Sequence, residues 1–125
     1  LRRLRFCSLT EHQGRDVSSR SAESVLAEVE ELTATRGFHG TLSDLGGPTA
    51  NLWGMGCSDP QAHAVCRRPS CLFPTICPKF GLDHAPLTDL YRQVQRVPGV
   101  NHAFVASGVR YDLVQADEKS GARYL

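Results

Sequence analysis

A chain of 125 residues, 41% hydrophobic and 22% charged, has room for one domain and the composition of a globular one. Its formal net charge of +1 argues for neither a nucleic-acid partner nor a membrane surface, and no apolar run approaches the roughly 18 residues that span a bilayer. Five cysteines, an odd number, do not suit a secreted disulfide framework; a reducing compartment, the cytoplasm, with metal-binding cysteines fits better.

The chain opens on a small basic cluster, Arg2, Arg3 and Arg5, which reads as a phosphate-binding tip or, more simply, a solvated end. No apolar stretch follows it, so no signal peptide is expected. Cys7 then stands before a polar loop that contains Gly14 and Arg15. A cysteine in that setting is a candidate metal ligand or reactive thiol, and equally a small buried hydrophobe. Ser18, Ser19 and Ser21 offer side-chain oxygens to the free N–H groups of a helix start. Val25, Leu26, Val29 and Leu32 follow at helical spacing, Glu23, Glu28, Glu30 and Glu31 face water, and Gly37 is a stop. The pattern predicts a helix over about 21–35.

Residues 39–45 read as a short strand that ends in Gly46-Gly47-Pro48. A glycine pair after a strand lets the backbone turn sharply or approach a ligand closely. Next comes an aperiodic interval, 46–85, too long for a plain loop in a compact domain. It carries Cys57, Cys66, Cys71 and Cys77 at spacing C-x8-C-x4-C-x5-C, stiffened by Pro60, Pro69, Pro74 and Pro78. Four thiolates on such a segment are a candidate site for zinc or an iron–sulfur cluster, which would stand in for a missing core. The alternatives are free thiols or two disulfides. His63 and His84 are possible substitute ligands, with a solvent-facing histidine the preferred reading for each.

Pro86 opens a second helix at a position where its missing N–H costs nothing. Leu87, Leu90, Tyr91, Val94 and Val97 form one stripe, with Tyr91 assigned to the core, and Pro98-Gly99 ends it. A second strand is read over 101–106 and broken at Ser107-Gly108; residues 109–114 begin the next loop and helix. Residues 117–125 read as a polar end cut in mid-element. Alternating helices and strands argue an α/β fold with a parallel sheet.

Several strings resemble YgiQ-type radical SAM proteins. They are Cys7-Ser8-Leu9-Thr10-Glu11-His12-Gln13-Gly14-Arg15, Ser18-Ser19-Arg20-Ser21-Ala22-Glu23-Ser24, Asp44-Leu45-Gly46-Gly47-Pro48-Thr49-Ala50-Asn51, Arg68-Pro69-Ser70-Cys71, Pro74-Thr75-Ile76-Cys77-Pro78 and Ser107-Gly108-Val109-Arg110-Tyr111-Asp112. The resemblance implies a fragment of a partial (β/α)6 TIM-like barrel. The whole chain, 1–125, would be part of a radical SAM core domain truncated at both ends, about two βα units with 46–85 as a Cys-rich insertion. In such barrels function sits on the C-terminal rim of the strands, which would gather Gly46, Gly47, Ser107, Gly108 and Arg110 beside the Cys7 loop.

The implied activity is reductive cleavage of S-adenosylmethionine (SAM) at a 4Fe–4S cluster, giving a 5′-deoxyadenosyl radical that acts on an unknown substrate, small or macromolecular. The family holds its cluster with C-x3-C-x2-C. Cys7 matches the third ligand, Leu4 stands where the second is needed, and the first would precede residue 1. By this resemblance the chain alone does not build the cluster. Gly46 and Gly47 match the glycines of a Gly-Gly-Glu-like motif that contacts the SAM amine, while Pro48 departs from the acidic residue, leaving backbone carbonyls for that contact. Arg20 and Arg110 are candidates for the SAM carboxylate, or surface ion pairs; Ser107 joins them as a rim residue. The alternative function is a Cys-rich zinc or iron–sulfur interaction module without catalysis. An extracellular disulfide domain is the third. The substrate and the oligomeric state are not legible in two βα units.

Overall fold

The computed structural model describes residues 20–45, 51–68, 70–72, 75–106 and 108–125. Helix α1, Ala22–Thr33, begins where Ser21 accepts a hydrogen bond from the Ser24 N–H at 3.2 Å. Val29 is buried, and Val25 and Leu26 pack against the core. Leu32, expected on the same stripe, is 37% exposed, because it sits in the last turn at the edge of the contact. Gly37 follows with φ +94°, a left-handed conformation that suits glycine after a helix.

Strand β1, Thr41–Ser43, pairs in parallel with β2, His102–Phe104, with Leu42 opposite Ala103. Each strand alternates, so Leu42 and Ala103 face the helices while Thr41, Ser43, His102 and Phe104 are exposed. The ladder begins at Gly40, whose carbonyl accepts from both the Asn101 and His102 N–H groups, at 2.7 and 3.0 Å. Gly40 has φ +84° and lies so close to Asn101 that a Cβ there would collide with its amide.

The long interval 46–85 is not featureless. It contains helix α2, Pro60–Val65, which starts with Asp59 accepting from the Ala62 N–H at 2.9 Å. Helix α3, Ala85–Gln95, is the centre of the core: Leu87, Leu90 and Val94 are fully buried against Val29 and Val100. Helices α4, Tyr111–Ala116, and α5, Gly121–Tyr124, close the described chain. In this polar stretch Asp117 and Ser120 are buried and Tyr124 packs on the core. A Cβ on Gly121 would collide with the Val114 carbonyl, so glycine lets α5 start directly against α4.

Candidate functional site

Parallel pairing sets the C-terminal ends of β1 and β2 side by side, and the segments leaving them are stitched together. Asp44 donates its N–H to the Phe104 carbonyl at 2.9 Å, and its carboxylate accepts from the Ala106 N–H at 2.9 Å. Asp44 does this at φ +59°, a left-handed conformation that aspartate tolerates better than most side chains. One residue on, the Leu45 N–H donates to the Tyr91 hydroxyl at 3.1 Å. Burial pushes the Tyr91 phenol up, as does the charge of Asp44, against the lowering effect of that N–H. Tyr91 thus belongs to the core stripe and also reaches the rim.

The tightest tie is Asn51. Its side-chain carbonyl accepts from the Arg110 N–H at 2.8 Å, and its amide donates to the Arg110 carbonyl at 3.0 Å. The same amide nitrogen lies 3.1 Å from His84 Nε2. On the far side of that ring, His84 Nδ1 is 2.8 Å from Asp117 Oδ2, which also accepts the His84 backbone N–H at 2.8 Å. The other carboxylate oxygen accepts from the Ser120 N–H at 3.0 Å. Asn51 and His84 are wholly buried, and Asp117 and Ser120 nearly so.

These bonds fix one another. Arg110 offers one donor and one acceptor, so only one orientation of the Asn51 amide satisfies both. That orientation turns an N–H toward His84 Nε2, which must then be the bare acceptor nitrogen. The ring proton is left on Nδ1, facing Asp117. Burial pushes the Asp117 carboxyl up, but bonds from the His84 ring, the His84 N–H and the Ser120 N–H outweigh it, holding the group below its ordinary value. Asp117 also lies at the N-terminal end of α3, where it accepts from the N–H of His84, the residue that precedes the helix.

His84 is therefore not solvent-facing, contrary to the expectation: both ring nitrogens are occupied inside the protein. The signal for this cluster was present in the resemblance strings, since one ends at Asn51 and another contains Arg110.

Arg110 and Arg20 both carry local partners. The Arg110 guanidinium pairs with Asp112, which that bond holds below the ordinary carboxylate range. Arg20 bonds Ser24 and Glu28 on α1, and its carbonyl accepts from the Trp53 indole N–H at 3.1 Å. Gly108 is exposed. Gly46, Gly47, Ser107 and Cys7 lie outside the described residues.

Cys57, Cys66, Cys71 and Cys77 are all half-buried, and none is in a disulfide. Cys71 and Cys77 are joined through the backbone, the Cys77 N–H donating to the Cys71 carbonyl at 2.7 Å. Cys57 pairs antiparallel with Phe80, and its thiol donates to the Asp59 carbonyl at 3.3 Å. Lys79 bonds Asp59 at 2.9 Å and is raised by it, with smaller contributions from Cys57 and Cys77. Among the described residues, no three His, Cys, Asp or Glu side chains come together as a metal-holding group. Nor is any helix among them long and apolar enough to cross a membrane.

Over 109 residues, 86% of the chain, the sequence is 59% identical to a UPF0313 protein of Vibrio vulnificus. The identity is 55% to one of Vibrio cholerae and 52% to one of Bradyrhizobium diazoefficiens over the same length. The chain is similar to one segment of UPF0313 proteins. It spans only 14% of the Vibrio proteins and 16% of the Bradyrhizobium one. No family model matches the chain. No solved structure matches it.

Proposed function

We propose that this chain is a rim segment of a radical SAM enzyme, whose βα units belong to a TIM-like barrel and help to hold S-adenosylmethionine. The observation that carries the reading is the double hydrogen bond between Asn51 and Arg110. It joins the string whose glycines the resemblance assigns to the SAM amine to the string that holds Arg110, a candidate for the SAM carboxylate by its chemistry, and both strings follow the C-terminal ends of parallel strands, the side on which α/β folds bind ligands. The similarity to UPF0313 proteins supports a common architecture over 86% of the chain.

The residues present do not fit a 4Fe–4S cluster. Leu4, three positions before Cys7, has no donor atom for iron. No step is therefore routed through a cluster on this chain. Its own part is to bind and orient. Backbone groups of 44–45, 105–106 and 108–110 follow the two strands, and the Arg110 guanidinium, already held by Asp112, would have to exchange that partner to grip a SAM carboxylate.

The test is a chimera of the Vibrio vulnificus relative in which this chain's 109 matched residues replace the native ones. After anaerobic iron–sulfide reconstitution, dithionite and SAM should yield 5′-deoxyadenosine from both the chimera and the unaltered relative. No product from the relative overturns the radical SAM reading. Product from the relative alone removes this chain from it.

A further inference from the structure

We propose that Asn51 is the positioning residue of the rim: its amide, oriented by the buried His84–Asp117 pair, fixes the Arg110 backbone and so sets residues 108–110 against the start of the 51–68 segment. For its ligand, SAM, the proposal rests on the reading above; for its geometry it does not.

The argument is one of exclusive complementarity. An amide at the centre of three partners has two donors and one acceptor to place. Here the donors meet His84 Nε2 and the Arg110 carbonyl, and the acceptor meets the Arg110 N–H. Flipping the amide would oppose donor to donor and acceptor to acceptor at Arg110. Shifting the ring proton to Nε2 would oppose it to the Asn51 N–H. Neither alternative leaves the wholly buried Asn51 and His84 side chains satisfied, and a lost partner there carries its full desolvation cost. The ring cannot swing away either, because Asp117 holds Nδ1 and the Tyr124 ring lies 5.1 Å from it. One rigid unit rooted in α3 and the α4–α5 turn thus dictates where a rim segment runs. His84 is wholly buried and its ring bonds only Asn51 and Asp117 among the described residues, so its part is positioning rather than catalysis.

The experiment uses the intact 125-residue chain. In the unaltered protein, nitrogen-15 NMR of the His84 ring should show a protonated Nδ1 and a bare Nε2. A protonated Nε2 overturns the proposal without any variant. In Asn51→Ala, the Arg110 amide should exchange with solvent at least tenfold faster while the Leu90 and Val94 amides keep their protection. Unchanged exchange at Arg110 overturns it. Asn51→Asp covers the case in which Asn51→Ala does not fold. Its carboxylate still accepts from the Arg110 N–H but sets an oxygen against the bare Nε2, so the ring-nitrogen signals should change. A ring spectrum identical to that of the unaltered chain overturns the proposal, since a space-filling role would leave the ring alone. Binding of SAM, followed by the fluorescence of Trp53, the single tryptophan, should weaken at least tenfold in Asn51→Ala. If the unaltered chain binds no SAM while the ring and exchange results hold, the ligand assignment fails and the positioning role stands.

Discussion

Around His84, side chains separated by 33 and 59 residues in sequence meet in a buried cluster whose amide and ring are fully bonded. In the cysteine segment the ties are of another kind. Residues 56–58 and 79–81 are laced by backbone bonds, Gly81 N–H to the Gly56 carbonyl at 2.6 Å and Ser58 N–H to the Lys79 carbonyl at 2.7 Å. Met55 and Phe80 are buried there as the segment's apolar anchors. The first region is specified by side chains that nothing can replace; the second by a backbone pairing that many side chains would allow. Mutational cost should follow that division.

The largest effect is expected at the centre of the network. His84→Ala deprives Asn51 of an acceptor and removes the ring N–H that bonds the buried Asp117 carboxylate, and it should cost about 3–5 kcal/mol. Against a domain total of about 5–15 kcal/mol this approaches unfolding. Urea midpoints should show it, with Glu30→Ala, on the exposed face of α1, as a control within about 0.5 kcal/mol. A loss for His84→Ala no larger than for Glu30→Ala would erase the distinction between the two regions. The same centre sets acid stability. Asp117 sits below its ordinary value in the folded chain, so its contribution is complete above the unfolded value of 3.8 and is lost as pH falls through the folded value. Asp117→Asn should flatten the dependence of stability on pH between about 5 and 2. An unaltered acid limb in that variant would assign acid lability elsewhere.

Gly121→Ala comes next. The added methyl meets the Val114 carbonyl, a backbone atom that cannot rotate away, so α4 and α5 must part. Overpacking of this kind costs about 1–3 kcal/mol. The shift would also move Asp117 and Ser120, which lie in the turn between the two helices, so the Ser120 amide should lose exchange protection along with stability. A stabilised Gly121→Ala protein would mean that the two helices do not approach as closely as described.

What could be read ahead of the structure was whatever repeats locally. The α1 and α3 stripes declare themselves at i, i+3 and i+4 because a helix brings those positions to one face. Ser21, Pro86 and Gly99 mark ends for equally local reasons. Helix α2 had its signal too, Asp59 as cap and Pro60 in the first turn, but six residues leave no room for a stripe, and Pro60 was read only as a stiffener. The His84 cluster is illegible by these means. It joins four segments that no local pattern relates, and each member alone looks like an ordinary surface residue. The burial of Asp117 and Ser120 was illegible for the same reason, because polar composition says nothing of a carboxylate bound by two distant backbone N–H groups.

Tyr124 offers a smaller effect with a clear sign. Its hydroxyl is buried with no partner among the described residues. Burial first, then Tyr91, Asp44 and Tyr111, push its phenol up to about 12. A raised folded value means that the contribution is complete below the unfolded value of 10.0 and is lost as pH rises from there toward about 12. Tyr124→Phe should remove that alkaline loss and leave neutral stability unchanged or raised by up to about 1 kcal/mol, since an unbonded buried hydroxyl contributes nothing favourable. A destabilisation larger than that would show that the hydroxyl has a partner.

The smallest effect is expected where the sequence pattern looked most chemical. In the metal-free protein Cys57 bonds only weakly, its thiol reaching the Asp59 carbonyl at 3.3 Å, and Ser at the same position can donate to the same oxygen. The pairing of Cys57 with Phe80 runs through the backbone and survives the exchange. Cys57→Ser should then cost about 0.5 kcal/mol or less, within the range of ordinary surface changes. The same measurement made on protein purified with zinc or iron separates the two pictures of the segment. Four thiolates sharing a metal would need their sulfurs to converge within about 4 Å of one another, and loss of one would release the ion and several kcal/mol of folding free energy with it. If elemental analysis finds one metal per chain and Cys57→Ser abolishes it, the segment is held by thiolates after all, and the division between the two regions falls.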